Sequence, residues 1–136
     1  MNETGWMRYT PHVLVVTAVF AFMHIADEMA GNWDAGAAGG PMSTPTMASI
    51  SLGVFTLVGM GTLWWLLTDR SWGYAMAALF GLFFLLTGGS HLVNTANMTP
   101  FRWGVVIPEV AGAAILVIQG VNGIRRNKPW KSTAAT

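Results

Sequence analysis

Six side chains in this sequence combine a chemically useful type with an unlikely setting. His24, Asp27, Glu28, His91, Asn94 and Glu109 sit within, or at the ends of, otherwise apolar runs. Imidazole and carboxylate groups together suit two chemistries. They can ligate a Zn, Cu or Fe ion, or they can exchange protons beside a bound ligand. His24 and Glu28 are four residues apart, and His24 and Asp27 are three apart, so both pairs share a helix face. A carboxylate that orients a histidine is a common outer-shell feature of metal sites. Glu109 follows Val105-Val106-Ile107-Pro108 and precedes Val110-Ala111-Gly112-Ala113, a setting that points to burial. Asp27 and Glu28 read more simply as end-of-helix charges in a headgroup layer. All six also fit interhelical hydrogen bonds that hold a bundle with no ligand.

Three liganded readings follow from these residues. One is copper or another transition metal, because Met29, Met42, Met47 and Met98 fall near the same side and thioether sulfur suits Cu(I). Another is haem b held by His24 and His91, with Gly88-Gly89 making room for the porphyrin. The third is a quinone, lipid or small-ligand pocket that uses His and Glu as proton-exchanging groups. The chain has no cysteine, which removes thiolate ligands and nucleophiles. It has no nucleophile elbow, phosphate loop or metalloprotease motif, so hydrolytic and phosphoryl-transfer chemistry are not expected. His12, next to Pro11, reads as interfacial.

The elements that must position these groups are membrane helices. Of 136 residues, 53% are hydrophobic and 10% charged, and mean hydropathy is +0.49. A soluble domain carries about 25% charged residues. A net charge of +1 with no broad basic surface excludes a nucleic-acid partner. A spanning helix needs about 20 mostly apolar residues. Four runs qualify, at 12–30, 46–67, 73–93 and 104–123, within a single domain over 1–136 that ends in a cytoplasmic tail, 124–136. The His24-Asp27-Glu28 end of the first run argues against a signal peptide, despite Ala35-Gly36-Ala37 downstream.

Basic residues set the orientation. Arg8, Arg70, Arg125, Arg126, Lys128 and Lys131 fall on one face and Arg102 on the other. Both termini are therefore expected in the cytoplasm of a multi-pass plasma-membrane protein. Trp6, Tyr9, Trp64, Trp65, Trp72, Tyr74 and Trp130 read as an inner aromatic belt, and Trp33 and Trp103 as outer markers. All six polar groups then gather in the outer third.

The two halves look alike. His24-Ile-Ala-Asp27 and His91-Leu-Val-Asn94 both close an outward-running span, as in two repeated helical hairpins. Small residues recur at helix-packing spacing: Ser49 and Gly53, Ala77 and Gly81, Gly112, Gly120 and Gly123.

The second half, Gly81-Leu-Phe-Phe-Leu-Leu-Thr-Gly-Gly-Ser-His91 with Pro108-Glu109-Val-Ala-Gly112 and Ile124-Arg125-Arg126, resembles the DoxX-like family of small four-helix membrane proteins. The resemblance covers about a third of the chain. It implies a four-helix bundle associated with membrane redox systems, and it carries over only Glu109 and the Gly88-Gly89 corner. The expected architecture is an all-α, integral membrane four-helix bundle in contact with the lipid bilayer. The expected function is an accessory or structural subunit of a larger membrane complex, redox or oxygenase, joined to other membrane subunits or to copies of itself. The alternative is an independent metal, haem or quinone-binding protein that uses the outer His/Glu site.

Overall fold

The computed structural model describes residues 5–29, 45–93, 95 and 98–127. Among these, regular structure is entirely helical. A 3-10 turn, Met7–Tyr9, leads into α1 (Thr10–Met29), followed by α2 (Pro45–Thr68), α3 (Arg70–Val93) and α4 (Pro100–Asn127). The helices extend the expected spans by up to four residues at an end. Three stretches are long and apolar enough to cross a membrane: Met7–Glu28, Arg70–Val93 and Pro100–Asn127. In α2 the described apolar stretch is shorter, Leu52–Thr68. The chain is a helical membrane protein.

Local chemistry explains the helix boundaries. α2 and α3 are separated only at Asp69. Its carboxylate accepts from the Ser71 N–H (3.2 Å) and the Ser71 hydroxyl (2.6 Å), capping the first turn of α3. At the head of α4, Thr99 Oγ1 accepts from the Arg102 N–H (3.2 Å), and Pro100 takes the first helical position, where a missing N–H costs nothing. α4 then runs through Pro108, whose ring removes the hydrogen bond to the Gly104 carbonyl.

Cross-helix pairs give the topology. Trp6 meets Gln119, Gly112 faces Thr17, His24 meets Glu109, and Asp27 meets Arg102, so α1 and α4 are antiparallel. Gly120 sits against Tyr74 and Ala78, and Gly88 against Glu109, so α3 is antiparallel to α4 and parallel to α1. The α3–α4 pair is the most intimate. α2 is peripheral and packs on α1 and α3.

The core is apolar at mid-bundle, with Leu14, Ala21, Leu66, Ala77, Phe80, Phe84, Ala113 and Leu116 buried. Outward faces are apolar too, as a lipid solvent requires: Val16, Val19, Phe22, Leu57, Leu79, Leu86, Ile107 and Ile118 are exposed. Buried hydroxyls bond within their own helices, Thr17 to the Val13 carbonyl (2.8 Å) and Thr62 to the Val58 carbonyl (2.7 Å). At the end opposite the histidines, Gln119 Nε2 donates to the Trp6 carbonyl (3.0 Å) and Tyr74 Oη to the Met7 carbonyl (3.4 Å). Tyr74 therefore corrects an expectation. It is a core residue at 2% exposure, not part of an interfacial belt. The glycine at 123 opens the space its ring fills.

The small residues divide into two sets. Ala77, Gly81, Gly112 and Gly120 lie between helices of the bundle. Ser49 and Gly53 are exposed on α2, and a Cβ at position 53 would meet nothing within 4 Å. At position 120 a Cβ would come within 2.6–2.7 Å of Ala78 and of the Tyr74 carbonyl oxygen. Gly120→Ala is therefore expected to destabilise by about 1–3 kcal/mol through overpacking, whereas Gly53→Ala, whose Cβ enters open space inside a helix, is expected to stabilise by up to about 1 kcal/mol. Unfolding of both variants in detergent checks this pair of outcomes.

Candidate functional site

The site begins on α1. His24 lies one helical turn before Glu28, on the face of α1 turned toward α3 and α4. It is 6% exposed. Its Nδ1 lies 2.8 Å from Glu109 Oε2, and Glu109 is 1% exposed. A carboxylate oxygen accepts, so Nδ1–H donates to Glu109 and Nε2 faces the opposite way. Nε2 is buried and has no hydrogen-bond partner.

Glu28 approaches that bare nitrogen. Its Oε1 lies 3.6 Å from His24 Nε2 and 3.5 Å from His91 Nε2. Both distances exceed a well-formed hydrogen bond. His91 enters from α3, at the same level because α1 and α3 are parallel. The two imidazoles meet edge to face, with ring centroids 4.6 Å apart and planes at 77°. One ligand atom from each of His24, Glu28 and His91 falls within 4.8 Å of the others. Burial is graded across the trio. The side chains are 7%, 14% and 31% exposed for His24, Glu28 and His91, so the His91 edge is the open side.

Gly88 gives Glu109 its place. A Cβ at position 88 would sit 3.2 Å from Glu109 Oε1 and 3.0 Å from Val110 Cγ2. The Gly88 corner is therefore filled by the Glu109 carboxylate, not left as room for a porphyrin. The edge contact between His24 and His91 also leaves no layer between them for a haem plane, so the bis-histidine haem reading does not fit this geometry.

Asp27 takes a different partner. Arg102 Nε donates to Asp27 Oδ2 at 2.7 Å, with side chains 6% and 12% exposed. Sequence reasoning missed Arg102 as a site residue, reading it only as an outer orientation marker. The missed signal is Thr99-Pro100, a cap followed by a first-turn proline. It starts α4 four residues earlier than expected and puts Arg102 inside the helix. Asp27 and Glu28 are likewise not headgroup charges: both turn inward to partners on other helices. A single-sequence scan cannot see those partners.

The structure thus joins five of the six expected groups: His24, Glu28, His91 and Glu109 in one cluster, with Asp27 adjoining through Arg102. Asn94 lies outside the described residues, as do the side chains of Met29, Met42 and Met47. Met98 is half-buried. His12 is exposed at the other end of α1 and contacts Tyr9 edge-on at 6.0 Å. A cavity of about 330 Å³ lies between α1 and α2, lined by Leu14, Ala18, Phe22, Leu52, Phe55 and Phe80 among others. No member of the polar cluster lines it, so it does not extend the site.

No family model matches this chain, and no curated protein or solved structure shows significant similarity to it.

The Asp27–Arg102 pair makes a direct prediction. Removing one partner of a buried pair leaves the other charge uncompensated, at about 3–5 kcal/mol. Arg102→Met alone is expected to destabilise by that amount, and Asp27→Leu/Arg102→Met together to recover more than half of it. A double-mutant cycle in detergent measures the coupling.

Proposed function

We propose that this protein is a small membrane-embedded binding protein that holds a cation at the His24/Glu28/His91 cluster. The carrying observation is the local charge. Among the described residues of the cluster and its surroundings, three carboxylates (Asp27, Glu28, Glu109) face one guanidinium, Arg102, and Arg102 is bonded to Asp27. Arg102 also acts electrostatically on Glu28, and Glu28 and Glu109 both face histidines, so one guanidinium stands against three carboxylates. Charges buried in a bilayer cost several kcal/mol each unless paired. A cation between the imidazoles and Glu28 offsets that cost, whereas a neutral quinone does not. With both termini in the cytoplasm of a plasma membrane, the site opens to the outer side.

A second reading has its own observation. On α2, Ser49, Gly53, Leu57 and Trp64 share one face that is exposed among the described residues. A face with small residues suits close approach of another membrane helix. It favours an accessory subunit docked by α2 in a larger membrane assembly, and the DoxX-like resemblance would make that assembly a redox one. Recovery of the protein from mild detergent as a lone monomer, with no stoichiometric partner, counts against this reading.

The cation reading is tested by thermal unfolding against a panel of Na⁺, Mg²⁺, Ca²⁺, Mn²⁺, Co²⁺ and Zn²⁺ chlorides. A ligand at a hundred times its Kd adds about 2.7 kcal/mol. At least one cation is expected to raise Tm in wild type, with most of the rise lost in Glu28→Gln. A panel without effect on wild type overturns the reading.

A further inference from the structure

We propose that the cation is a divalent transition metal of the zinc type, ligated by His24 Nε2, His91 Nε2 and Glu28 Oε1, with a fourth position left exchangeable. This rests on the cation reading and adds the identity of the ion class, its ligand atoms and its coordination.

Three independent observations carry it. The first is the bare nitrogen: a buried, oriented imidazole Nε2 with no hydrogen-bond partner, aimed at Glu28 and His91. Such a group is costly at membrane depth without a hydrogen-bond partner or a bound cation.

The second is spacing. Zn–N and Zn–O bonds of about 2.0–2.2 Å at the tetrahedral angle put neighbouring ligand atoms about 3.3–3.6 Å apart. Glu28 Oε1 stands 3.6 Å from one Nε2 and 3.5 Å from the other. These gaps are too long for strong hydrogen bonds and match two edges of a coordination tetrahedron. The His24–Glu28 spacing comes from one turn of α1, and His91 arrives on a parallel helix at the same height.

The third is the outer shell. Glu109 holds His24 Nδ1 at 2.8 Å, forming the carboxylate–histidine arrangement that fixes tautomer and ring plane for ligation through Nε2. It can reach that position because residue 88 is glycine.

The donor set selects the ion class. Two imidazoles and one carboxylate suit Zn²⁺ and neighbouring divalent ions such as Fe²⁺ and Co²⁺. Ca²⁺ takes six to eight oxygen ligands, and Mg²⁺ an octahedral oxygen shell, which this trio does not supply. Among the described residues three protein ligands converge, which leaves a fourth position for water or another exchangeable donor. The half-exposed His91 edge gives that position access from the outer side.

The test uses the purified, full-length protein in detergent, stripped with a chelator and titrated with Co²⁺. Four-coordinate Co²⁺ has intense visible d–d absorption and six-coordinate Co²⁺ only weak absorption. The expected result is one Co²⁺ per chain with the intense spectrum, displaced stoichiometrically by Zn²⁺. His91→Gln, at the more exposed position, is expected to abolish the intense spectrum while wild-type helicity by circular dichroism is retained. Glu109→Gln is expected to weaken Co²⁺ binding by about 10–100-fold with the same spectral shape, as outer-shell changes do. Binding of Mg²⁺ or Ca²⁺ without the intense Co²⁺ spectrum overturns this proposal and leaves the cation reading standing. The intense spectrum persisting in folded His91→Gln also overturns it. Failure of every cation to bind overturns both.

Discussion

The hydrogen bond between His24 Nδ1 and Glu109 Oε2 organises the histidine end of this bundle. Its setting gives it weight. In water such a contact competes with solvent and contributes little. Between two helices whose outer faces meet lipid, neither partner has water to fall back on, and an unmet polar group costs several kcal/mol. The bond therefore sets the rotation of α1 against α4. Once it forms, Thr17 lies against Gly112, Asp27 reaches Arg102, and the Trp6 carbonyl reaches Gln119. The same rotation points His24 Nε2 away from α4, toward His91.

The bundle is held by different physics along its length. At mid-depth, side chains such as Phe80, Phe84, Leu14 and Leu116 interdigitate, and glycines on α4 bring its backbone close to α3. Apolar burial does not drive association inside lipid, so close packing and polar pairs must do so. The polar pairs sit at the two ends: Gln119 and Tyr74 on the carbonyls of Trp6 and Met7 at one, and the His/Glu/Arg cluster at the other. Each end holds a buried side-chain atom without a hydrogen-bond partner, Gln119 Oε1 at the first and His24 Nε2 at the second. Among the described residues, two imidazoles and a carboxylate converge only at the second. That convergence separates a structural contact from a candidate binding site.

Much of the fold was legible from composition and hydropathy, because the bilayer dictates helix length and forbids strand edges. The helical runs, the short α2–α3 connection and the interior place of Glu109 all follow from that constraint. His24, Asp27 and Glu28 were legible as a shared face from helical spacing alone. Arg102 was not. A lone arginine near a span end reads equally well as an orientation marker, and its partner lies 75 residues away on another helix. Tyr74 failed for a related reason: tyrosines favour membrane interfaces, but here a facing glycine on α4 admits the ring to the core.

The sequence by itself determined that polar groups would be rare, helical and gathered toward one membrane face. Hydrophobic length and charge are additive properties of a chain, and the bilayer sorts them without reference to neighbours. Only the tertiary structure decided which group meets which. Pairing depends on the relative rotation and height of packed helices, which arise from glycine–side-chain contacts across three of them. That step turned five of the six candidate residues, together with Arg102, into an oriented histidine, a carboxylate poised between two imidazoles, and a separate arginine–aspartate pair.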